Sequence, residues 1–316
     1  MSVTKTFMRK LFMNGARYSG LSSVLSPLLR GVGAILMLHH VRPAGSGPNL
    51  NRLLHIEPDF LDRLLDDLKR TGARFVSLDE VADRLRSGHT DERYMTITLD
   101  DGYRDNLVHA APVFRAHDTP FTIYVSPGLT DGDADLWWEL VARVVEENDA
   151  VSFEAEDGRK TFSCRTVAEK RRTFRALMRY GFREIGEDDQ RAWTRSLCEV
   201  YGVDRDAHRR NELLAWHELQ RIQAEPLGTV GAHTMNHFQL ARLPRERAEE
   251  EIVRSRDVLA ERLGARGIDS DIAGGIAEAD DHMAVGQFDV SGCRFHKVGD
   301  GLVVEIRLAL DCLEPA

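Results

Sequence analysis

The chain is short of cysteine, of positive charge and of long apolar runs, and each shortage removes a class of function. Its four cysteines, Cys164, Cys198, Cys293 and Cys312, are widely spaced and include no CxxC pair. That pattern suits neither a structural zinc site nor a disulfide framework, so the thiols are read as reduced. A net charge of -9 argues against general nucleic-acid binding. No acidic residue precedes Glu57, and residues 1–30 form a basic leader with Lys5, Arg9, Lys10, Arg17 and Arg30 among Phe7, Leu11, Phe12 and Leu21. Such a leader could make peripheral contact with a membrane surface, although a frayed or domain-docked leader is the simpler reading. Asn14, Arg17, Ser22, Ser23, Ser26 and Arg30 interrupt its apolar stretches. Neither a signal-peptide core nor a transmembrane span results, which makes a cytoplasmic location the expectation. No feature points to a protein partner.

What is present is a chain of 316 residues, 42% hydrophobic and 29% charged, able to bury a substantial core as one large α/β domain or two smaller ones. Ala34 to Leu38, Met95 to Leu99 and Phe121 to Val125 read as buried strands. Between them lie helical patterns at 59–70, 78–85 and 106–116, the first with a stripe of Phe60, Leu61, Leu64, Leu65 and Leu68 ended by Gly72. This alternation predicts a parallel βα architecture, in which sites gather at the carboxyl ends of the strands. Residues 127–227 change character and read as a mainly helical insertion: Trp137 and Trp138 open one helix, a hairpin is centred on Asp157-Gly158, and helices are expected over 167–182, 188–201 and 211–224. A further helix is expected from Pro244 to Leu263, with Ile252, Val253 and Leu259 on its apolar side.

Two stretches carry chemistry. Thr98-Leu99-Asp100-Asp101-Gly102-Tyr103 places adjacent carboxylates at the end of a strand, where successive side chains diverge and Gly102 permits a tight turn. His233-Thr234-Met235-Asn236-His237 follows another short strand and reads as two histidines on one face of a helical turn. With one carboxylate they make an Asp/His/His set suited to zinc or a similar divalent ion, with a coordination position left for water. Each motif alone is weak, since a strand-ending Asp can simply cap a turn and paired histidines are often solvated. His39 and His40, at the end of the first strand, are read as structural residues lining a barrel mouth, outside the metal set.

Together, the Asp-Asp-Gly stretch, the His-Thr-Met-Asn-His stretch and the opening Leu38-His39-His40-Val41 resemble the NodB-homology polysaccharide deacetylases, carbohydrate esterase family 4, over about residues 33–264. The resemblance implies a distorted (β/α) barrel over residues 31–316 and one divalent metal ion, zinc by preference, held by Asp101, His233 and His237. It implies Asp100 as the general base and the backbone N–H near Tyr103 as an oxyanion donor. The substrate would be an N-acetylated oligo- or polysaccharide containing N-acetylglucosamine, and the reaction that of a chito-oligosaccharide deacetylase, a hydrolase of carbon-nitrogen bonds outside peptides. Trp137 and Trp138 could stack on sugar rings, or could simply anchor the insertion. From about residue 265 to 316 the tail is atypical: Ile268 to Gly275 lacks the family's Arg-x-Pro-aromatic motif, and no L-x-x-H motif supplies an acid histidine. His282 and His296 are read as ordinary surface residues, and the tail is expected not to complete a normal site. Two alternatives stay open, a catalytically impaired carbohydrate-binding homologue and a metal-dependent esterase or amidase acting on another acyl group.

Overall fold

A computed structural model of the chain describes residues 33–45, 47–87 and 92–264 in full, and the backbone of residues 293–298 and 301–307. The basic leader, the acidic stretch of the tail from Asp269 to Asp281, and His282 lie outside the described residues. For His296 only the backbone is described.

The expected parallel α/β architecture is present. Its first strands are β1 (Gly33–Leu38), β2 (His40–Val41), β3 (His55–Ile56) and β4 (Arg74–Phe75). Then come β5 (Tyr94–Leu99), β6 (Phe121–Val125) and the hairpin of β7 (Ala150–Ala155) and β8 (Gly158–Ser163). The last are β9 (Gly228–Ala232), β10 (Cys293–Val298) and β11 (Gly301–Arg307). The main sheet runs β10-β11-β1-β5-β6-β9, parallel except where β10 meets β11. β5 is its centre. β1 pairs along the whole of one edge of β5, while β4 takes the start of the other edge and β6 its end. Among the described residues this sheet is open, with no pairing that closes it into a barrel.

Helices cover the sheet because their apolar stripes need a partner. In α1 (Pro58–Arg70) Leu61 and Leu65 are fully buried, each worth roughly 1.5–3 kcal/mol relative to exposure. α2 (Leu78–Ser87) packs Val81 and Leu85 against Val76 and Tyr94 in a small cluster of its own, while Ala111 and Phe114 of α3 (Ala111–Ala116) join Leu36, Leu99 and Ile123 in the main core. Residues 127–227 contain α4 (Pro127–Asp131), α5 (Trp137–Glu147), the β7–β8 hairpin, α6 (Val167–Arg179), α7 (Glu187–Tyr201), α8 (Arg205–Glu212) and α9 (Trp216–Ala224). A second core, including Trp137, Val141, Val144, Phe153, Trp193 and Leu197, lies among them. α10 (Arg245–Leu263) then ends at Gly264.

Two helical expectations are corrected. The pattern at 211–224 is two helices, because residues 213–215 leave the helix to meet the strand-end loop: Leu214 N donates to Gly102 O at 2.9 Å and Leu213 bridges Tyr103. Both leucines are buried there. On α10 the buried face is Glu251, Ser255 and Leu259, whereas Val253, read as part of the apolar side, is exposed. In the tail, the strand-like run at 301–308 is β11, paired in parallel with β1. No helix among the described residues is long and apolar enough to cross a membrane.

Candidate active site

β5 delivers the carboxylate pair. After Leu99 the chain keeps the sheet direction for one more residue, with Asp100 N donating to Leu38 O at 2.9 Å, and then reverses through Asp101 at φ 72 and Gly102 at φ 70. The left-handed conformation at Asp101, rather than strand alternation alone, separates the two carboxylates. A non-glycine residue in such a conformation costs of order 1–3 kcal/mol and persists only where the surroundings fix it. Three such residues, Asp101, Thr234 and His237, belong to this one site.

The second motif is not a helical turn, which corrects the sequence reading. Residues 233–237 form a loop after β9 with left-handed Thr234 and His237 at φ 62 and φ 56. Its shape is imposed from outside. His233 N donates to Val125 O at 2.9 Å, Ser126 Oγ donates to His233 O at 2.6 Å, and Gly128 N donates to Met235 O at 2.8 Å. Within the loop His237 N donates to Thr234 Oγ1 at 3.0 Å. From α10, Glu251 clamps the far side: its carboxylate accepts from Asn236 N and Asn236 Nδ2, both at 2.7 Å, and its carbonyl accepts from Met235 N at 2.9 Å. Sequence reasoning missed Glu251. The available signal was its i, i+4, i+8 spacing with Ser255 and Leu259, which puts a carboxylate on the buried face of an otherwise charged helix.

The loops bring all three expected ligands together. His237 Nε2 lies 3.0 Å and His233 Nε2 3.6 Å from Asp101 Oδ1, and the donor atoms of the three residues lie within 4.8 Å of one another. Asp101 Oδ1 is buried and has no donor aligned on it. A buried oxygen without a hydrogen bond, beside two imidazole nitrogens, is the donor set a borderline divalent cation takes, so these residues fit a metal. Asp101 is 2% exposed while His233 and His237 are 31% and 29% exposed, so the cluster opens to solvent on its histidine side. Burial works to raise the Asp101 carboxyl, but His237, His39 and His233 hold it below the usual carboxylate range. Burial also lowers His233, which favours the neutral imidazole a metal needs; at His237 the Asp101 carboxylate outweighs burial and raises the imidazole.

Asp100 is buried beside this cluster, with His39 Nε2 3.9 Å from its Oδ2. His39 thus stands next to the expected base. His40 is fully buried instead of lining a mouth. Tyr103 is fully buried too, its hydroxyl accepting from Trp138 Nε1 at 3.1 Å. Trp138 lies against the His237 ring, centroids 4.8 Å apart, and Trp137 packs edge-on to Phe182. Both tryptophans are covered by protein, at 4% and 6% exposure, so neither presents an open face for a sugar.

Residues 194–268 match the family model "Polysaccharide deacetylase". No curated protein matches the chain. Among solved structures, it is similar to the Streptococcus pyogenes deacetylase PplD in complex with acetate, at 17% identity and a TM-score of 0.46, covering 78% of this chain and 78% of that one. It is also similar to IcaB from Ammonifex degensii, at 19% identity and a TM-score of 0.42, covering 75% and 72%. A de-N-acetylase from Aggregatibacter actinomycetemcomitans aligns at 13% identity and a TM-score of 0.43, covering 77% and 84%. The family match covers 75 of the 316 residues, and His233, His237 and Glu251 lie within it.

Proposed function

We propose that the chain hydrolyses N-acetyl groups of oligo- or polysaccharides containing N-acetylglucosamine, with one divalent cation, zinc by preference, held by Asp101, His233 and His237. The observation that carries this reading is the convergence of Asp101 Oδ1 with two imidazole nitrogens beside a second, separately held carboxylate, Asp100. When bound, the cation supplies Lewis acidity for an acyl carbonyl and for water. Asp100 accepts the proton of the attacking water, because it is the neighbouring Asp101 whose charge is engaged by the cation. His39, 3.9 Å away, orients that carboxylate. The backbone N–H near Tyr103 steadies the developing oxyanion. Tyr103 and Trp138 serve from beneath by fixing the His237 ring, and the sugar is met by the open histidine edge. The tail sequence offers no acid histidine in the family's context, so turnover is low. A cytoplasmic, glycan-directed role without nucleic acid belongs to the same reading.

A panel of N-acetylated and O-acetylated substrates tests it. Acetate release from N-acetylated chito-oligosaccharides is expected. Affinity for the sugar without release would favour the carbohydrate-binding alternative, and release from O-acetyl substrates alone would favour an esterase.

A further inference from the structure

A second cluster of metal-ligating side chains lies away from the Asp101 set and shares no residue with it. His40 on β2 is fully buried, and its Nδ1 sits 2.7 Å from Asp105 Oδ2. That contact, at which Arg42 Nη2 also meets Nδ1, leaves Nε2 turned toward Glu139 Oε1 on α5, at 3.5 Å, with Arg42 Nη2 3.2 Å from the same nitrogen. His55 on β3 brings its ring to 4.3 Å from that of His40, and its buried Nε2 has no hydrogen-bond partner. One donor atom from each of His40, His55 and Glu139 lies within 4.8 Å of the others.

We propose that His40, His55 and Glu139 form a second divalent-cation site of zinc-type chemistry, which ties the ends of β2 and β3 to the first long helix of residues 127–227.

The surroundings support it. A carboxylate on the far nitrogen of a ligating histidine fixes its tautomer and ring orientation, and Asp105 occupies that place on His40. Asp105 is itself held by Val41 N at 3.2 Å and Arg42 Nε at 2.7 Å. Glu139 Oε1 is steadied by Asn51 Nδ2 at 3.1 Å. Charge points the same way: Asp105 and Glu212 pair with the Arg42 guanidinium and Glu139 lies against His40, so these four side chains carry an excess of two negative charges when the imidazoles are neutral. A small cavity lined by Leu38, His39, His40, Leu54 and Ile56 lies beside His40 and provides an approach. Tyr103 separates the two clusters, its ring 3.5 Å from that of His40 and its hydroxyl held by Trp138. Because the three ligands come from elements far apart in sequence, metal bound there resists their separation, and its binding energy becomes folding energy.

The test is zinc content per chain after loading with zinc chloride and desalting, read by elemental analysis. Two equivalents are expected for the native sequence, one for His55→Gln, one for Glu139→Gln and one for His237→Ala. The retained equivalent in His237→Ala should raise its melting temperature over the chelated protein. A native chain that holds one equivalent, with none left in His237→Ala, would overturn the proposal, as would a His55→Gln protein that binds as much as the native one. If the His55 and Glu139 variants fail to fold, His237→Ala alone decides, since one retained equivalent supports the second site and none refutes it.

Discussion

Asp100 and Asp101 are adjacent in sequence yet held in different surroundings, and conservative substitution should tell them apart. Asp100→Asn should keep its zinc and lose turnover by roughly 10²–10⁴, the usual worth of general-base catalysis. Asp101→Asn should lose zinc itself. Equal behaviour of the two variants, in metal content and in acetate release, would show that the roles are wrongly divided. The same scale governs the thiols. Burial pushes the Cys198 thiol up to about 11, so at pH 8 almost none of it is the reactive thiolate, and the thiolate fraction grows only as pH approaches that value. Iodoacetamide at pH 8 should leave Cys198 unmodified in the folded protein and alkylate it after denaturation. Peptide mapping that finds it labelled in the native state would contradict this. The candidate cluster of Asp101, His233 and His237 was legible in the sequence because Asp-Asp-Gly and HxxxH name their chemistry by residue type. Glu251 was not, because its role comes only from where α10 lies against the His loop.

At the level of elements, strands and helices were largely readable from periodicity, since the buried faces of β1, β5 and α1 must be apolar wherever they pack. The loop at 233–237 was misread for a physical reason. Its i, i+4 histidine spacing fits a helix, but Val125, Ser126, Gly128 and Glu251 hold it in a left-handed path, and none of these is local in sequence. Gly128 shows how tightly: a Cβ placed there would stand 2.5 Å from Asn236 Oδ1 and 2.8 Å from Met235 O. Gly128→Ala should therefore weaken zinc binding without touching a ligand, visible as a higher zinc dissociation constant by calorimetric titration; an unchanged constant would mean that the loop yields freely. Glu251→Ala removes both carboxylate bonds to Asn236 and leaves its backbone N–H without that acceptor, a loss of about 1–3 kcal/mol. Thermal denaturation of the metal-free protein should show a lower melting temperature, and an unchanged one would remove Glu251 from the clamp. The break between α8 and α9 has the same origin as the loop, because Leu213 and Leu214 answer to the Gly102–Tyr103 backbone instead of to their helical neighbours.

Across the whole molecule the site lies where two cores meet. Leu99, the last residue of β5, belongs to the core under the sheet, while Tyr103, four positions later, is buried in the core of the helical segment. The Asp-Asp-Gly turn therefore crosses from one to the other, and its left-handed conformation is fixed from both sides. The sequence announced the parallel sheet but not this seam, because a hydrophobic pattern reports that a face is buried and not against what. The most direct measurement is acetate release from an N-acetylated chito-oligosaccharide by one preparation of the protein, assayed zinc-loaded, after chelation, and after zinc is restored. Release that disappears on chelation, returns with zinc and is nearly absent in zinc-loaded Asp100→Asn is the expected result. Sugar binding with no acetate release in any of these states, or release indifferent to chelation, would contradict it.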